Sequence, residues 1–262
     1  MHPVLVSFGP FTLHTYGLFV ASAFFAAIFL SLHGARKEGI DPDRMLDFAF
    51  YVTLAAILGA RILFIIVEYP YFLADPIRIF KIWEGGLVFY GGFIGAVIVA
   101  ILYMKRHDMP ILTVGDIVAP ALALGQAVGR IGCLSAGCCY GKPTLLPWGI
   151  TFTDPRSLVS PDKLGIPLHP TQLYSSLGNL TLFFFLLFMS RRKKFSGQIL
   201  LLYGICYPLL RSFIEIFRGD PRGSLFGGML STSQFISVIV FLIALTFYFK
   251  LRKGHQVSGL DK

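Results

Sequence analysis

Seven long apolar stretches constrain the fold of this chain more than any other feature, because each has about the 20 residues that cross a bilayer as a helix. They run from Leu13 to Leu32, Leu46 to Val67, Leu87 to Met104, Thr113 to Cys133, Gln172 to Met189, Gln198 to Phe217 and Gly228 to Phe249. The chain of 262 residues is 55% hydrophobic and only 14% charged, which is too apolar for a soluble domain. We therefore expect an all-α polytopic membrane protein with seven transmembrane helices, in one domain over residues 1–262.

The loops between these stretches alternate in charge. Every second loop, beginning after the first stretch, is basic and carries Arg36, Lys37, Arg44, Lys105, Arg106, the run Arg191 to Lys194, Lys250, Arg252 and Lys253. The positive-inside rule places these loops in the cytoplasm, so the N-terminus lies outside and the C-terminus inside. The net charge of +9 has its excess in these loops, where it favours membrane lipids as partners and argues against nucleic acid.

One connection is too long to be a simple turn. Residues 137–170 alternate proline, glycine and polar residues with a strand-like piece over residues 148–153, which predicts a small outward-facing mixed cap that includes a hairpin. After the last stretch, residues 254–262 are polar and are expected to form a disordered cytoplasmic tail.

Three arginines lie inside the apolar stretches: Arg61, Arg130 and Arg211. A guanidinium keeps its proton, and holding it in hydrocarbon costs several kcal/mol unless another group compensates the charge. We therefore expect an anion beside these arginines.

The sixth stretch carries a polar stripe. Tyr207, Arg211 and Glu215 are spaced four residues apart, and Arg218 follows three residues later, so all four share one helical face. This face either binds a substrate or forms an ion pair that only stabilises the bundle.

The fourth stretch places Gln126 and Arg130 one helical turn apart, beside Gly129. The glycine allows a close approach by another helix or by a lipid headgroup. Asp116, about four turns earlier, is expected to be structural or an N-cap.

Tyr90 stands among glycines at the start of the third stretch. The amides of Gly91 and Gly92 could bind an anion, or these glycines could mark a close crossing of two helices.

Several of these motifs together resemble the bacterial prolipoprotein diacylglyceryl transferases. The motifs are Tyr16-Gly17, Tyr90-Gly91-Gly92, Gly129-Arg130-Ile131-Gly132 with Tyr140-Gly141 after it, His169-Pro170-Thr171-Gln172-Leu173-Tyr174, and the run from Arg211 to Arg218. They occur in the family's order and with similar spacing over nearly the whole chain.

This resemblance implies a multi-pass enzyme of the bacterial inner membrane whose active site faces the outer leaflet. Such an enzyme transfers the diacylglyceryl group of phosphatidylglycerol to the thiol of the lipobox cysteine in the signal peptide of a preprolipoprotein. The product is a thioether, glycerol phosphate is released, and neither a metal nor an organic cofactor is needed.

The resemblance also implies roles for the polar residues. The phosphodiester is anionic and gains charge as it departs, which suits arginine forks. We expect Arg130 and Arg211 to hold the phosphate, while Glu215 and Arg218 fix Arg211 or contact the glycerol. The expected substrate-binding residues are Tyr16, Tyr90, Gly91, Gly92, Gln126, Gly129, Tyr207, Arg218 and His169.

The group that removes the thiol proton is not evident. Tyr90 stands where the family usually has a histidine base, and His14 matches another family histidine. His14 is either this base or a hydrogen-bonding residue of the membrane interface. Alternatively, nearby arginines lower the pKa of the substrate cysteine enough that no base is needed.

Cysteines replace family residues in the glycine-rich signature, which is the run from Gly129 to Gly141. Cys133 stands where the family usually has asparagine, and Cys138 where it has glutamate, with Cys139 beside it. A disulfide between Cys133 and one of the other two could brace this loop. Zinc is disfavoured, because the spacing is not CxxC and no nearby histidine completes a ligand set.

Other interpretations remain open. An organic-anion transporter would also need intramembrane arginines, although we find no internal repeats. A divergent homologue with another acceptor, or with a thiol-redox role, would also fit the cysteines. For His169 with Tyr174, the alternatives are an entrance to the site and a hydrogen-bond network between cap and helix.

Overall fold

A computed structural model describes residues 3–8, 11–81, 85–220, 224–225 and 230–260, most of which are helical. The helices are α1 Thr15–Lys37, α2 Pro42–Val67, α3 Tyr69–Ala74, α4 Phe89–Arg106, α5 Ile111–Ala136, α6 Thr171–Ser190, α7 Gln198–Glu215 and α8 Thr232–Leu260, with 3-10 turns at Pro76–Ile79 and Pro161–Lys163. The strands are β1 Val4–Phe8, β2 Phe11–His14, β3 Ile150–Thr151, β4 Pro167–Leu168, β5 Ser224–Leu225 and β6 Leu230–Ser231.

Each of the seven apolar stretches contains a helix. Six of these helices, all except α7, are long and apolar enough to cross a membrane, which makes the chain a polytopic helical membrane protein. Helix α7 has 18 residues, as many as α4, but it includes the charged Arg211 and Glu215, which lower its mean hydropathy. The seven-span count and the orientation of the termini therefore stay predictions. The predicted start of the last span, Gly228, lies outside the described residues.

The chain divides into two compact units, residues 31–114 and residues 1–30 with 115–262. In the unit of residues 31–114, α2 packs against α4 through glycines. A Cβ on Gly92 would lie 2.8 Å from the carbonyl oxygen of Ala56, and one on Gly95 would lie 2.7 Å from that of Ala55. The two backbones are thus too close for side chains at these positions.

In the other unit, α7 packs against both α6 and α8. An apolar core joins α5, α6 and α7 and comprises Ala119, Ala123, Leu182, Phe183, Leu186 and Ile199. Asp116 of α5 accepts hydrogen bonds from the backbone amides of Gly197 and Ile199 at 2.8 Å and of Leu200 at 3.0 Å, and its carboxylate lies 3.6 Å from Lys193 Nζ. The prediction of a structural, N-capping Asp116 is confirmed, because the amides at the start of α7 have no partners within the helix.

The segment of residues 137–170 contains the expected strand pair. Strands β3 and β4 are antiparallel, with Ile150 opposite Leu168, but each has only two residues. A small core of Tyr140, Phe152, Val159 and Leu168 lies beneath them. That this cap faces outward stays a prediction.

One terminal feature differs from expectation. Strands β1 and β2 form a hairpin before α1, with Val4 opposite His14 and Val6 opposite Leu13, where the sequence pattern indicates no structure. At the other end, α8 extends to Leu260, and the disordered tail expected over residues 254–262 stays a prediction. Residues 261–262 lie outside the described part.

Candidate functional site

Arg61 is buried in α2, where backbone carbonyls surround its guanidinium. It donates to the carbonyl oxygens of Ile79 at 3.1 Å, Gly85 at 2.6 Å, Gly86 at 3.2 Å, Lys81 at 3.3 Å and Arg78. The rings of Phe64 and Phe72 lie 5.6 and 5.4 Å from its central carbon. The expectation of an anion beside Arg61 is therefore wrong, because neutral carbonyl dipoles satisfy its donors. Arg61 folds the segment after α2 back onto the helix and is structural.

Arg211 belongs to a charged network between α7 and α8. Its guanidinium forms an ion pair with Glu215 and donates to Ser233 Oγ at 3.2 Å. Ser233 in turn donates to the other carboxylate oxygen of Glu215 at 2.8 Å. The predicted stripe thus brings Arg211 and Glu215 together, and α8 adds Ser233, which no sequence signal indicated.

Arg218 follows α7 and is almost completely buried. Its Nε and Nη2 donate to the two carboxylate oxygens of Asp220 at 2.9 and 2.8 Å, and its Nε lies 3.8 Å from Glu215. Cys139 lies close enough to interact with it electrostatically. Burial alone would lower the pKa of Arg218, but Asp220 and Cys139 raise it above its usual range, so the guanidinium stays charged.

The last residue of the glycine-rich signature, Gly141, pairs with Arg218 in the segment that follows α7. Gly141 and Arg218 form an antiparallel β-bridge, and the Lys142 amide donates to the carbonyl of Phe217 at 2.8 Å. A Cβ on Gly141 would lie 2.8 Å from that same carbonyl oxygen, so only glycine fits. This contact brings Arg218 beside the signature loop.

Three cysteine sulfurs cluster in that loop. The Sγ atoms of Cys133, Cys138 and Cys139 all lie within 4.8 Å of one another. All four cysteines of the chain are described, and all four are thiols, so the disulfide predicted from the sequence is not formed. Hydrogen bonds brace the loop instead: Thr171 Oγ1 donates to the carbonyl of Cys139 at 2.7 Å, and Gln172 Nε2 donates to that of Cys138 at 2.8 Å.

The electrostatic setting of Cys139 is unusual for a thiol. Hydrogen bonds from Cys133 and Cys138 lower its pKa below the usual range, and the adjacent Arg218 lowers it further, although burial acts in the opposite direction. Hydrogen bonds with Cys133 and Cys139, together with burial, raise the pKa of Cys138 above its usual range, so the three thiols together do not favour a negative charge.

Arg130 differs from the other arginines of the apolar stretches. It is half-buried near the end of α5 and forms no hydrogen bond or ion pair with any residue that the structure describes. Tyr16 and Cys133 lie close enough to interact with it electrostatically. A Cβ on the preceding residue, Gly129, would meet no described atom within 4 Å. Arg130 thus presents a charged fork without a hydrogen bond to any described residue, and the neighbouring position Gly129 has open space.

A second polar group lies one turn earlier on α5. Gln126 lies beside Tyr203 of α7, and the stacked rings of Tyr203 and Tyr207 have centroids 5.3 Å apart. The side-chain oxygen of Gln126 is buried and has no partner among the described residues. The structure therefore connects two predicted residues, Gln126 and Tyr207, through Tyr203. The spacing of Tyr203 four residues before Tyr207 could have indicated it.

His169 lies at the junction of cap and helix. Its Nδ1 is 3.2 Å from Tyr174 Oη, which accepts a hydrogen bond from Trp148 Nε1 at 2.8 Å. The ring of Phe217 lies 5.3 Å from that of His169. Of the two alternatives for this residue, the structure shows the hydrogen-bond network between cap and helix.

His14 and Tyr16 lie at the start of α1. Tyr16 is 44% exposed, and its Cδ2 atom would lie 3.4 Å from a Cβ on Gly132 in the signature. His14 is exposed at the end of β2, and its side chain hydrogen bonds to no described residue. Tyr16 thus adjoins the signature helix α5.

Tyr90, Gly91 and Gly92 belong to the unit of residues 31–114. The amides of Gly91 and Gly92 both point to the carbonyl of Val88, at 3.1 and 3.4 Å, which leaves neither free for an anion. Both glycines are buried against α2, as described above, whereas Tyr90 is 45% exposed. The close-crossing alternative is thus the one that the structure supports for these glycines.

Comparison with known proteins gives consistent matches along the chain. The family model described as prolipoprotein diacylglyceryl transferase matches residues 3–250. A Clostridium tetani protein named phosphatidylglycerol–prolipoprotein diacylglyceryl transferase is 42% identical over 245 residues, which cover 94% of this chain and 96% of the relative. Proteins with this name from Clostridium perfringens (numbered 2) and Ligilactobacillus salivarius are 37% and 35% identical and cover 94% and 96% of this chain, and 94% of each relative.

Proposed function

This chain belongs to the prolipoprotein diacylglyceryl transferase family, and we propose that it moves the diacylglyceryl group of phosphatidylglycerol to the lipobox cysteine thiol of preprolipoproteins. The relatives' names contain both substrates, and the match covers nearly the whole chain. The product is a thioether, and glycerol phosphate leaves.

The observation that carries this proposal is the guanidinium of Arg130, which forms no hydrogen bond or ion pair with any described residue. A charged group that is half-buried in an apolar helix, without a hydrogen bond or ion pair to any described residue, favours the binding of an anion. The phosphate of phosphatidylglycerol is such an anion, and its two non-bridging oxygens match the two donors of an arginine fork. The open space at Gly129 allows the headgroup to approach.

Arg211 has a different role in this proposal. Its fork already holds Glu215 and Ser233, so it is the preorganised part of the site. Preorganised charges stabilise a transition state well, because they need not reorient when charge develops. We assign Arg211 to the departing phosphate and Glu215 to the orientation of Arg211. Arg218, fixed by Asp220, supplies positive charge next to the signature loop.

The reaction then proceeds by displacement at carbon. The lipobox thiolate attacks the glyceryl carbon that carries the phosphate, and a carbon–sulfur bond forms. The carbon–oxygen bond breaks, and its electron pair leaves on the phosphate oxygen of glycerol phosphate. Negative charge thus moves from sulfur to phosphate, where the guanidiniums of Arg130 and Arg211 stabilise it.

Several uncharged residues complete the substrate site in this proposal. Tyr16 adjoins the signature helix, and the buried oxygen of Gln126 is an unused acceptor that a glycerol hydroxyl could satisfy. The ring of Tyr207 stacks on that of Tyr203, which lies next to Gln126. His169 holds the cap against the helix through Tyr174 and so shapes the path of the signal peptide. Tyr90, Gly91 and Gly92 are assigned by resemblance alone.

The enzyme is expected in the bacterial inner membrane with its site toward the outer leaflet. The charge pattern of the loops supports this orientation, and the relatives named above come from bacteria. His14 is exposed just before α1, and its side chain hydrogen bonds to no described residue, so its role as a base stays a prediction.

Expression in bacterial cells depleted of their own diacylglyceryl transferase tests this function. The chain should add one diacylglyceryl group to a reporter lipoprotein that carries a lipobox cysteine, seen by mass spectrometry of the intact reporter. A reporter with serine in place of that cysteine should stay unmodified. If the cysteine reporter also stays unmodified while the chain is present in the membrane, the proposal is wrong.

A further inference from the structure

We propose that the tip of the cap, residues 143–149, is inserted into the membrane leaflet at the N-terminal end of α6, so that lipid covers its apolar side chains. This contact is separate from diacylglyceryl transfer, because it concerns how the cap is held at the membrane. It depends on α6 crossing the membrane, for which this helix is long and apolar enough.

The tip exposes large apolar side chains. Leu145 is fully exposed, Trp148 is 56% exposed, and Leu146 and Pro147 between them are exposed as well. No residue from 143 to 153 carries a charge. A contiguous group of exposed apolar side chains indicates contact with another apolar surface or with a membrane.

Hydrogen bonds hold the backbone of the tip, so this exposure belongs to the fold. The amide of Thr144 donates to the carbonyl of Pro167 at 2.9 Å, and its hydroxyl accepts from the amide of Leu146 at 3.2 Å. The amide of Gly149 donates to the carbonyl of Leu146 at 2.9 Å. This turn keeps Leu145 away from the small apolar core of the cap, of which it is not a member.

Helix α6 determines the depth of the tip. Trp148 Nε1 donates to the hydroxyl of Tyr174 at 2.8 Å, and Tyr174 lies in the first turn of α6. This helix has 20 residues and a length of about 30 Å, which equals the thickness of the hydrocarbon core. Its first turn therefore lies at the membrane interface, where tryptophan and tyrosine are enriched.

The tip is also continuous with the exposed apolar surface of α6 and α7. Leu177, which follows Tyr174 by three residues on α6, is exposed, as is Phe213 on α7. The ring of Phe217 contacts those of Phe213 and Tyr174, with centroids 5.5 and 5.9 Å away. Since lipid covers the exposed apolar side chains of a spanning helix such as α6, the same lipid layer extends to Trp148 and the tip.

A lysine flanks the tip where it joins the signature. Lys142 is exposed, and its Nζ donates to the carbonyl of Ile216 at 2.9 Å, which leaves further ammonium donors for lipid phosphates. Segments at a membrane interface combine apolar side chains with lysines that reach the headgroups. Because Lys142 follows Gly141, which pairs with Arg218, lipid contact at the tip holds the signature loop at the level of the headgroups.

The fluorescence of Trp148 tests this contact, because Trp83 is the only other tryptophan of the chain. Trp83→Phe protein, with an unchanged elution volume and circular dichroism, is reconstituted in vesicles whose acyl chains carry bromine near the headgroups or near the chain ends. We expect bromine near the headgroups to quench the emission at least about twofold, as at an interfacial indole, and aqueous iodide to quench it little. Quenching by iodide but by neither lipid would place the tip in water and refute the proposal.

A tryptophan elsewhere on the cap is the matched control. Trp83→Phe with Trp148→Phe and Asp162→Trp moves the probe to an exposed polar position beside Lys163, where iodide should quench it and brominated lipid should not. Equal quenching of the two probes by lipid would contradict a contact confined to the tip. If Trp148 ignores brominated lipid but its emission shifts with a lipobox peptide, the tip binds the signal peptide and the lipid proposal is wrong.

Leu145 allows a change that removes no packing within the chain, because its side chain is fully exposed. In the Trp83→Phe background, Leu145→Asp should reduce quenching by bromine near the headgroups at least about twofold, since a carboxylate disfavours insertion. Leu145→Ile should keep it. Unchanged quenching in Leu145→Asp would contradict insertion. These measurements do not involve turnover, so a negative result would leave the transferase function standing.

Discussion

Arginine side chains within the apolar stretches of this protein are compensated in three different ways. Arg61 donates to five backbone carbonyls, Arg211 pairs with Glu215 and Ser233, and Arg130 has no partner among the described residues. The first is thus a structural clamp, the second a preorganised charge, and the third a free fork for a ligand. Identical residues in similar stretches therefore have distinct functions that only the contacts reveal.

Replacement of Arg130 tests its assignment to the phosphate. Arg130→Ala should lower the rate of diacylglyceryl transfer at least about 100-fold, as loss of a single group that stabilises the transition state does in other active sites. Arg130→Lys should restore only part of the rate, because an ammonium lacks the fork. The rate is measured by the mass shift of a lipobox peptide.

The matched control for this substitution is Arg156→Ala. Arg156 is an exposed cap residue paired with Asp154, and we expect its loss to leave the rate within about twofold. A normal rate in Arg130→Ala, at an equal protein level, would remove Arg130 from the site.

Replacement of Arg61 should affect stability. Arg61→Met leaves five carbonyl groups without their donor in an apolar setting, so the free energy of unfolding should fall by about 3 kcal/mol. Thermal unfolding in detergent measures this loss. Arg44→Met, at an exposed site beside Asp41, should change the unfolding temperature little. An unaltered unfolding temperature in Arg61→Met would show that the clamp is unimportant.

The sequence could predict the polar stripe of α7 but not its partners. Helical spacing places Tyr207, Arg211 and Glu215 on one face, because neighbours on a helix are set by local geometry. Ser233 and Asp220 were missed, since they approach from α8 and from the following loop. The cysteine cluster was visible as three nearby thiols, but the sulfur distances depend on backbone turns that the spacing does not reveal.

At the scale of the elements, the start of α7 depends on a side chain from another helix. Asp116 accepts three amide hydrogen bonds there, in place of a local N-cap. Asp116→Ala should therefore destabilise the protein by about 2 kcal/mol, and Asp116→Asn should cost less because one acceptor remains. Thermal unfolding provides the comparison, with Asp162→Ala as a control at an exposed ion pair. Equal stability of Asp116→Ala and Asp162→Ala would exclude the capping role.

The helices were predictable because hydropathy and length determine which segments can enter a bilayer. The ends of α2 and α4, for example, lie within a few residues of the predicted limits. The β1–β2 hairpin was not predicted, since its strands are short and pair only with each other. The glycines of α4 were ambiguous until the backbone of α2 was seen beside them.

For the whole molecule, the open question is whether α7 crosses the membrane. With seven spans the termini lie on opposite sides, and with six they lie on the same side. The basic loops predict an exterior N-terminus and a cytoplasmic C-terminus. A fluorescent protein fused after Lys262 should fluoresce in the cytoplasm, and a tag before Met1 should be accessible to protease from outside intact spheroplasts. Protection of both termini would contradict seven spans.

The most direct test of the central claim is transfer by the purified protein. The protein in detergent is mixed with phosphatidylglycerol and a lipobox peptide that has either cysteine or serine at the acceptor position. We predict one diacylglyceryl group on the cysteine peptide only, with an equal amount of glycerol phosphate released. No addition, with the protein folded and an authentic transferase active under the same conditions, would contradict the proposed function.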